Sequence, residues 1–430
     1  MTNEPPLPSL SADESIWLRV GILLDGGSEK PIRKAHVLYN RDAIQFVGDA
    51  AHTPPKALLK AGQDEPDFDL PDYTLLPGLI EAHAHLFLEG GALDFAKRKA
   101  YLQQNAEDLL TEAHTRLARL VQMGVIGVRD AGDKHGVGLA LSRLYEQKKD
   151  RPLMPYVDSP GAAIFRKGNY GSFMADPIED HASLQDCVAA RVQAGADRIK
   201  LIPTSIIDFQ EGRVRKKPQL STEEVAVLVK AAKAWGKQTF AHASGDEGIE
   251  HALEGSVDSI EHGFFLRDDQ LARMRDRQIA WVPTFAPVQK QVDQAQQVGW
   301  DDQVVSNLKK ILDRHAASLV KAHAMGVLII AGSDAGSMGV AHGLGFFYEL
   351  ALMENAGMPP VAVINAATGT SAKRLGYKED FGQIKPGFLS RFILTRHAPL
   401  ASVTALNKDK YIVFDGRVYT DTGERDPAGL

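Results

Sequence analysis

Apolar residues come in short runs at both ends of the chain and alternate with helical patterns between them. Residues 17–24 are mostly apolar and close on Asp25-Gly26-Gly27; 35–39 and 43–47 are short apolar runs separated by Asn40-Arg41-Asp42. Runs of this length bounded by turn residues read as strands. The far end repeats the pattern at 391–395, 411–414 and, after Asp415-Gly416, 417–419. Both ends therefore read as pieces of one sheet, and the expectation is a small β-sandwich built from residues 1–75 and 379–430.

The middle has a different period. Candidate strands stand at 79–82, 125–129, 154–157, 198–202, 238–241, 257–260, 280–284 and 327–332, each followed by a helical stretch. One helix start is explicit: Ser221-Thr222-Glu223-Glu224 is a capping box. Val225, Leu228, Val229 and Ala232 then mark one face at helical spacing, and Gly236 ends it. Strands alternating with helices imply a parallel sheet. Eight units in about 300 residues match a (β/α)8 TIM-like barrel, expected over residues 76–378. A doubly wound open sheet is the alternative and demands another strand order.

The bulk numbers agree with a large barrel plus an accessory piece: 430 residues, 44% hydrophobic and 24% charged. Lys and Arg number 49 against 55 Asp and Glu, a net charge of −6, with no basic face for nucleic acid. Cys187 is the only cysteine, so no internal disulfide can form; it lies in a helix-like stretch, 184–194, and reads as packing. Residues 1–17 lack the basic and apolar regions of a signal peptide. The longest purely apolar runs, such as 327–331, fall far short of the roughly 18 residues that span a membrane. The expectation is a soluble cytoplasmic protein with no nucleic-acid or membrane partner.

Against that background, four histidines, a lysine and an aspartate stand at the ends of the middle strands. Glu81-Ala82-His83-Ala84-His85 closes the first, and residues i and i+2 of a strand face one side. Lys200 lies inside the apolar run Arg198-Ile199-Lys200-Leu201-Ile202, where a lysine is expensive without a special role. His242 ends a fifth strand, His262 a sixth and Asp334 an eighth. Each alone has a bland structural reading. With about 30 residues or more per βα unit, however, the set falls at the C-terminal ends of strands one, four, five, six and eight. That is the face where barrel active sites lie. His and Asp suit zinc and its neighbours.

These motifs make the chain resemble the amidohydrolase superfamily. They are Pro77-Gly78-Leu79-Ile80-Glu81-Ala82-His83-Ala84-His85, Val128-Arg129-Asp130-Ala131-Gly132, Lys200, Ala241-His242-Ala243, Glu261-His262-Gly263 and Gly332-Ser333-Asp334-Ala335-Gly336. Asn365-Ala366-Ala367-Thr368 and Gly382-Gln383-Ile384-Lys385-Pro386-Gly387 complete the set, which runs from about residue 17 to 420. The branch most similar holds Xaa-Pro dipeptidases and imidazolonepropionase-like proteins. The resemblance implies two divalent metal ions, zinc above all: His83, His85 and Asp334 for the more buried ion, His242 and His262 for the second. It further implies that carbon dioxide carboxylates Lys200 and that the carbamate bridges the ions. A metal-bridging hydroxide would then attack an amide carbonyl, with Asp334 as proton acceptor and donor. The implied activity is C–N amide hydrolysis of a dipeptide, an N-acyl amino acid or a similar small amide.

Two departures stand out. Relatives carry Ala-Asp before the closing strand where this chain has Ser390-Arg391. Relatives in the dipeptidase branch often carry a histidine after strand three; here stands Gly168-Asn169-Tyr170-Gly171, which leaves the substrate open. His135 and Tyr170 follow strands two and three and are candidates for contact with the substrate or its transition-state oxygen, as catalytic or substrate-binding groups. Arg166 and Lys167 are candidates for a substrate carboxylate. Two other readings compete: a ring-amidine deaminase or cyclic-amide hydrolase, against which Lys200 speaks, and a non-catalytic scaffold, against which the filled ligand positions speak. A homo-oligomer is expected.

Overall fold

The computed structural model describes residues 7–133, 135–147, 152–377 and 379–423. The chain forms two compact units. One takes the chain up to Ile80, Arg119–Ile126 and the stretch from Pro359; the other takes Glu81–Ala118 and Gly127–Met358.

In the first unit both chain ends meet in one seven-stranded sheet. Its order is Arg417–Asp421, Lys410–Phe414, Arg391–Thr395, Phe68–Pro77, Ser15–Leu23, Ile32–Asn40 and Ile44–Gly48. Strand Phe68–Pro77 joins the two ends: it pairs parallel with Ser15–Leu23 and antiparallel with Arg391–Thr395. Apolar residues from both ends, including Leu18, Val37, Leu75, Phe392 and Val413, share one core. Arg391, the departure noted above, stands over the Phe414 ring at 4.4 Å and donates through Nε to Asp415 Oδ1 at 2.8 Å. The register between the two parallel strands shifts between Val20 and Ile22. Gly21 sits at that shift, directly against the Pro71 carbonyl oxygen, where a Cβ would collide with backbone.

The second unit is α/β with parallel sheets. One sheet is six-stranded, in the order Ala280–Val282, Ser259–His262, Thr239–Ala243, Ile199–Leu201, Ala163–Phe165 and Ala175–Pro177. All its pairs are parallel. A further sheet holds Leu79–Ala84, Val125–Asp130 and Tyr156–Asp158, of which residues 81–84, 127–130 and 156–158 belong to this unit. Strands covered on both faces are buried at nearly every residue, which is why they read as apolar runs. The expected strand at 327–332 differs: it makes one isolated parallel bridge, Ile329 with Trp281, and Ala335 just beyond it makes another with Ala84. Its backbone nonetheless bonds to both neighbours, Trp281 N–H to Leu328 O at 2.8 Å and Ala82 N–H to Ala331 O at 2.9 Å. Gly332 permits that approach, because a Cβ there would lie 2.7 Å from the His83 backbone nitrogen.

The helix expected after Ser221 is Thr222–Ala234, with both capping-box bonds formed and Val225, Leu228, Val229 and Ala232 buried. Cys187 is buried in helix Leu184–Gln193, and burial pushes its thiol up to about 11, as befits a packing residue. Among the described residues no helix is long and apolar enough to cross a membrane.

Gly21→Ala should destabilise the protein by about 1–3 kcal/mol, the usual cost of forcing atoms into a packed site. Urea unfolding with an unchanged midpoint would show that the strand can shift to admit the methyl.

Candidate active site and metal centre

The polar side chains singled out in the sequence converge at the C-terminal ends of the parallel strands. His83 lies in Leu79–Ala84 with His85 immediately after it, Lys200 lies in Ile199–Leu201, and His242 lies in Thr239–Ala243. His262 ends Ser259–His262, and Asp334 lies in the bridging segment. All six are buried. The imidazoles form one chain of ring contacts: His85 to His83 at 5.7 Å, His83 to His262 at 5.1 Å and His262 to His242 at 4.5 Å between centroids. His83, His85 and Asp334 each bring a ligand atom to within 4.8 Å of the others, a group that could hold a metal ion.

Two of these residues reach the site through unusual backbone. His262 has φ 68° and Asp334 φ 56°, left-handed conformations that are uncommon away from glycine. In a regular strand, His262 would face away from its neighbour Glu261. The left-handed turn ends the strand and redirects the ring. Strain of this kind, of order 1–3 kcal/mol per residue, is characteristic of functional sites.

Three of the four imidazoles are anchored through Nδ1. His83 Nδ1 bonds to Glu261 Oε2 at 2.6 Å, His85 Nδ1 to the Gly132 carbonyl at 3.2 Å, and His262 Nδ1 to Thr284 Oγ1 at 2.8 Å. The fourth ring, His242, stands beside the backbone of Ser205. With Nδ1–H donated to carboxylate or carbonyl, Nε2 carries the lone pair. The Nε2 atoms of His83 and His242 are buried and have no hydrogen-bond partner. Burial holds His83, His85 and His262 well below the usual histidine value and His242 down to about 3, so the rings are neutral.

The anchors are themselves held. Arg129 Nη2 donates to Glu261 Oε2 at 2.7 Å, and Ser259 Oγ to Glu261 Oε1 at 2.6 Å. Glu81 accepts from the Ser333 N–H and hydroxyl, both at 2.8 Å, next to Asp334. Glu349 accepts from the N–H groups of Phe285 at 2.9 Å and Ala286 at 2.7 Å, just after Thr284. Lys200 has no hydrogen bond or ion pair to the described residues; its Nζ lies 5.6 Å from the Phe240 ring centroid. Burial lowers it to about 8, well under the ordinary lysine value. Asp334 is raised to about 6, burial being the largest cause; its Oδ1 lies 3.6 Å from both His83 Nε2 and His85 Nε2, and its Oδ2 accepts from Ser337 Oγ at 2.8 Å.

A cavity of about 460 Å³ opens onto this cluster, lined by His85, Lys200, His242, His262 and Asp334 together with Tyr170 and several apolar side chains. The Tyr170 ring stands 5.2 Å from that of His242, and burial pushes its phenol above the usual tyrosine value, so it keeps its proton. Three sequence candidates are not brought here: His135, Arg166 and Lys167, whose backbone N–H bonds to Glu179 Oε2 at 3.0 Å. His135 is half-buried beside the start of helix Val137–Glu146, with its N–H on Asp133 Oδ1 at 2.8 Å, and it does not line the cavity. Arg166 is spent on Glu224, on Glu179 at 3.1 Å and on the Gln219 carbonyl at 3.0 Å; it does not line the cavity either. Sequence reasoning gave no role to Glu261, Arg129, Glu81 or Thr284. The first three were visible inside quoted motifs, and only their partners across the fold show what they do.

Comparison with known proteins agrees with this geometry. The amidohydrolase family pattern matches residues 74–418, and the chain belongs to that family. It is therefore a hydrolase acting on carbon–nitrogen amide bonds. Ochratoxinase from Aspergillus niger is 24% identical over 432 residues, covering 95% of this chain and 87% of that protein. An Xaa-Pro dipeptidase, solved with methionine in its active site, superposes with a TM-score of 0.78 at 25% identity, over 95% of this chain and 100% of that one. A prolidase solved with N-methylphosphonate-L-proline superposes with a TM-score of 0.75 at 20% identity, over 95% and 100%; it shares the fold.

Glu349 supplies a pH test. Burial raises its carboxyl to about 8, above the ordinary 4.5. The folded state therefore holds a proton that the unfolded chain releases. The stability from this group is complete below about pH 4.5 and fades as pH rises through 8. Glu349→Gln should remove that dependence, flattening the pH profile of unfolding free energy between 5 and 8 by up to about 1.4 kcal/mol per pH unit. Parallel profiles for variant and parent would mean that Glu349 is ionised in the fold.

Proposed function

We propose that the chain is a metal-dependent amidohydrolase with two divalent ions, zinc above all, cleaving the C–N bond of a small amide such as a dipeptide or N-acyl amino acid. The observation that carries this reading is a cluster of four neutral imidazoles in ring contact, three of them bonded through Nδ1 and three lining one cavity, with the Nε2 atoms of His83 and His242 buried and unpartnered. A buried polar atom without a partner is expensive, and a divalent cation satisfies it. Ligand histidines in metal proteins characteristically give their other nitrogen to a carboxylate or carbonyl, which is the pattern at His83 and His85. His83, His85 and Asp334 would hold one ion, and His242 and His262 the second, with Lys200 between them as a carbamate. Residues 76–378 would form the hydrolase domain, closed into an eight-stranded barrel by the segment that bridges Trp281 and Ala84. The two chain ends would fold their shared sheet into the accessory sandwich. The names of the ochratoxinase and dipeptidase relatives support an amide as substrate.

When bound, the ions would polarise the amide carbonyl and acidify the attacking water. The rest falls to the chain's own groups. Lys200, lowered by burial, offers a free amine whose Nζ bonds to the carbon of carbon dioxide, releasing a proton and leaving an anionic carbamate. Asp334 accepts a proton of the attacking water and delivers it to the leaving nitrogen. The Tyr170 hydroxyl, protonated and on the cavity wall, donates to the oxygen on which charge develops.

Asp334→Asn keeps the size of the side chain but cannot take the proton. It should retain metal at least in part and hydrolyse its substrate at least a hundred-fold more slowly, general-base catalysis being worth about 10²–10⁴-fold. Metal content and turnover measured on one preparation decide the matter: full metal with near-normal turnover would assign the proton to another group. Lys200→Ala should bind far less metal and lose activity, with partial recovery on adding short carboxylic acids. Full activity without them would refute the carbamate.

A further inference from the structure

Arg98 was no candidate in the sequence, yet it lines the same cavity as the proposed metal ligands. It lies in the short helix Phe95–Tyr101 and is half-buried. Among the described residues lining the cavity, Arg98 and Lys200 are the only lysine or arginine side chains, and Lys200 belongs to the metal set. The Arg98 guanidinium has one hydrogen bond, Nη2–H to the Gly336 carbonyl at 3.1 Å. No carboxylate among the described residues lies within ion-pair distance of it. A guanidinium carries five N–H donors in a planar fork that fits a carboxylate through two parallel bonds. Most of that fork is unspent. The surrounding wall is apolar, with Phe173, Ile206, Phe209, Val288 and Met338, and a low-polarity wall strengthens the attraction between an anion and this cation.

The position of Arg98 bears on which end of a substrate it meets. Its bond to Gly336 ties it to the turn two residues past Asp334, and Asp334 is the group proposed to return a proton to the leaving nitrogen. The α-carboxylate of an amino acid is two bonds from that nitrogen. We propose that Arg98 binds the free carboxylate of the substrate's leaving group, so that the bond cleaved joins an apolar acyl group to an amino acid. This rests on the amide-hydrolase reading, narrows its substrate to one with an apolar acyl side, and adds the residue that selects the free carboxylate. Arg166, already engaged by two glutamates, does not serve this purpose.

The test uses the metal-loaded enzyme and two probes, N-benzoyl-L-phenylalanine and N-benzoyl-L-phenylalaninamide, which differ only in ending in a charged carboxylate or a neutral carboxamide. Release of benzoate reports the benzoyl amide bond alone. The parent should favour the acid by at least tenfold in kcat/KM, chiefly through KM. Arg98→Met should cut that preference at least tenfold, and Arg98→Lys should keep part of it. A residue that merely braced the turn at Gly336 would affect both probes equally. An unchanged ratio in Arg98→Met, or no preference in the parent, overturns the proposal while leaving amide hydrolysis standing. Calorimetric titration with L-phenylalanine separates the other failure. If neither probe is cleaved but L-phenylalanine binds the parent more tightly than Arg98→Met, the subsite stands and the hydrolase reading falls. Binding that ignores Arg98 overturns the subsite.

Discussion

Leaving a buried imidazole nitrogen without a partner costs about 1–3 kcal/mol, and this chain does so at both His83 and His242. The surrounding structure maintains that arrangement. Three of the four site rings are bonded through Nδ1, which leaves Nε2 as the inward nitrogen. Neutral rings, a carboxyl raised by burial and a lysine lowered by burial are all groups that water no longer stabilises. A cation stabilises nitrogen lone pairs and carboxylates together, and so resolves the whole set at once.

The scaffold supplies precision in layers. Parallel strands bring the side chains to one face. Left-handed turns at His262 and Asp334 aim two of them where a regular strand would not. Behind them, the Arg129–Glu261 pair fixes His83, and the Glu81–Ser333 bonds fix the backbone beside Asp334. Glu349 holds the loop that carries Thr284, the partner of His262. Outer partners of this kind typically matter 10- to 100-fold for metal affinity or activity.

The proposed ligand set was legible because its members end apolar runs or, for Lys200, interrupt one, and the runs are apolar because the strands are covered on both sides. Other parts were not legible, for physical reasons. Strand Phe68–Pro77 is masked by Asp69, Pro71 and Asp72 in its exposed half, although its second half is buried. The segment near residue 330 looks like a strand by composition but forms only bridges, and the chain takes a left-handed conformation at Asp334 just beyond it. Glu261 meets Arg129 across 132 residues of sequence, a separation over which one sequence carries no pairing signal. Arg98 resembles any solvated helix arginine until the cavity beside it is seen. Arg166 erred in the opposite direction: its loop suggested a substrate contact, but neighbouring glutamates already occupy its guanidinium.

Metal stoichiometry tests the central claim most directly. Elemental analysis of the purified chain, after dialysis against metal-free buffer, should find two equivalents of divalent metal, zinc foremost, retained per chain. A chain that retains none when fully folded, even after incubation with zinc, would contradict the account, since the inward-facing histidines would then be no more than an expensive core.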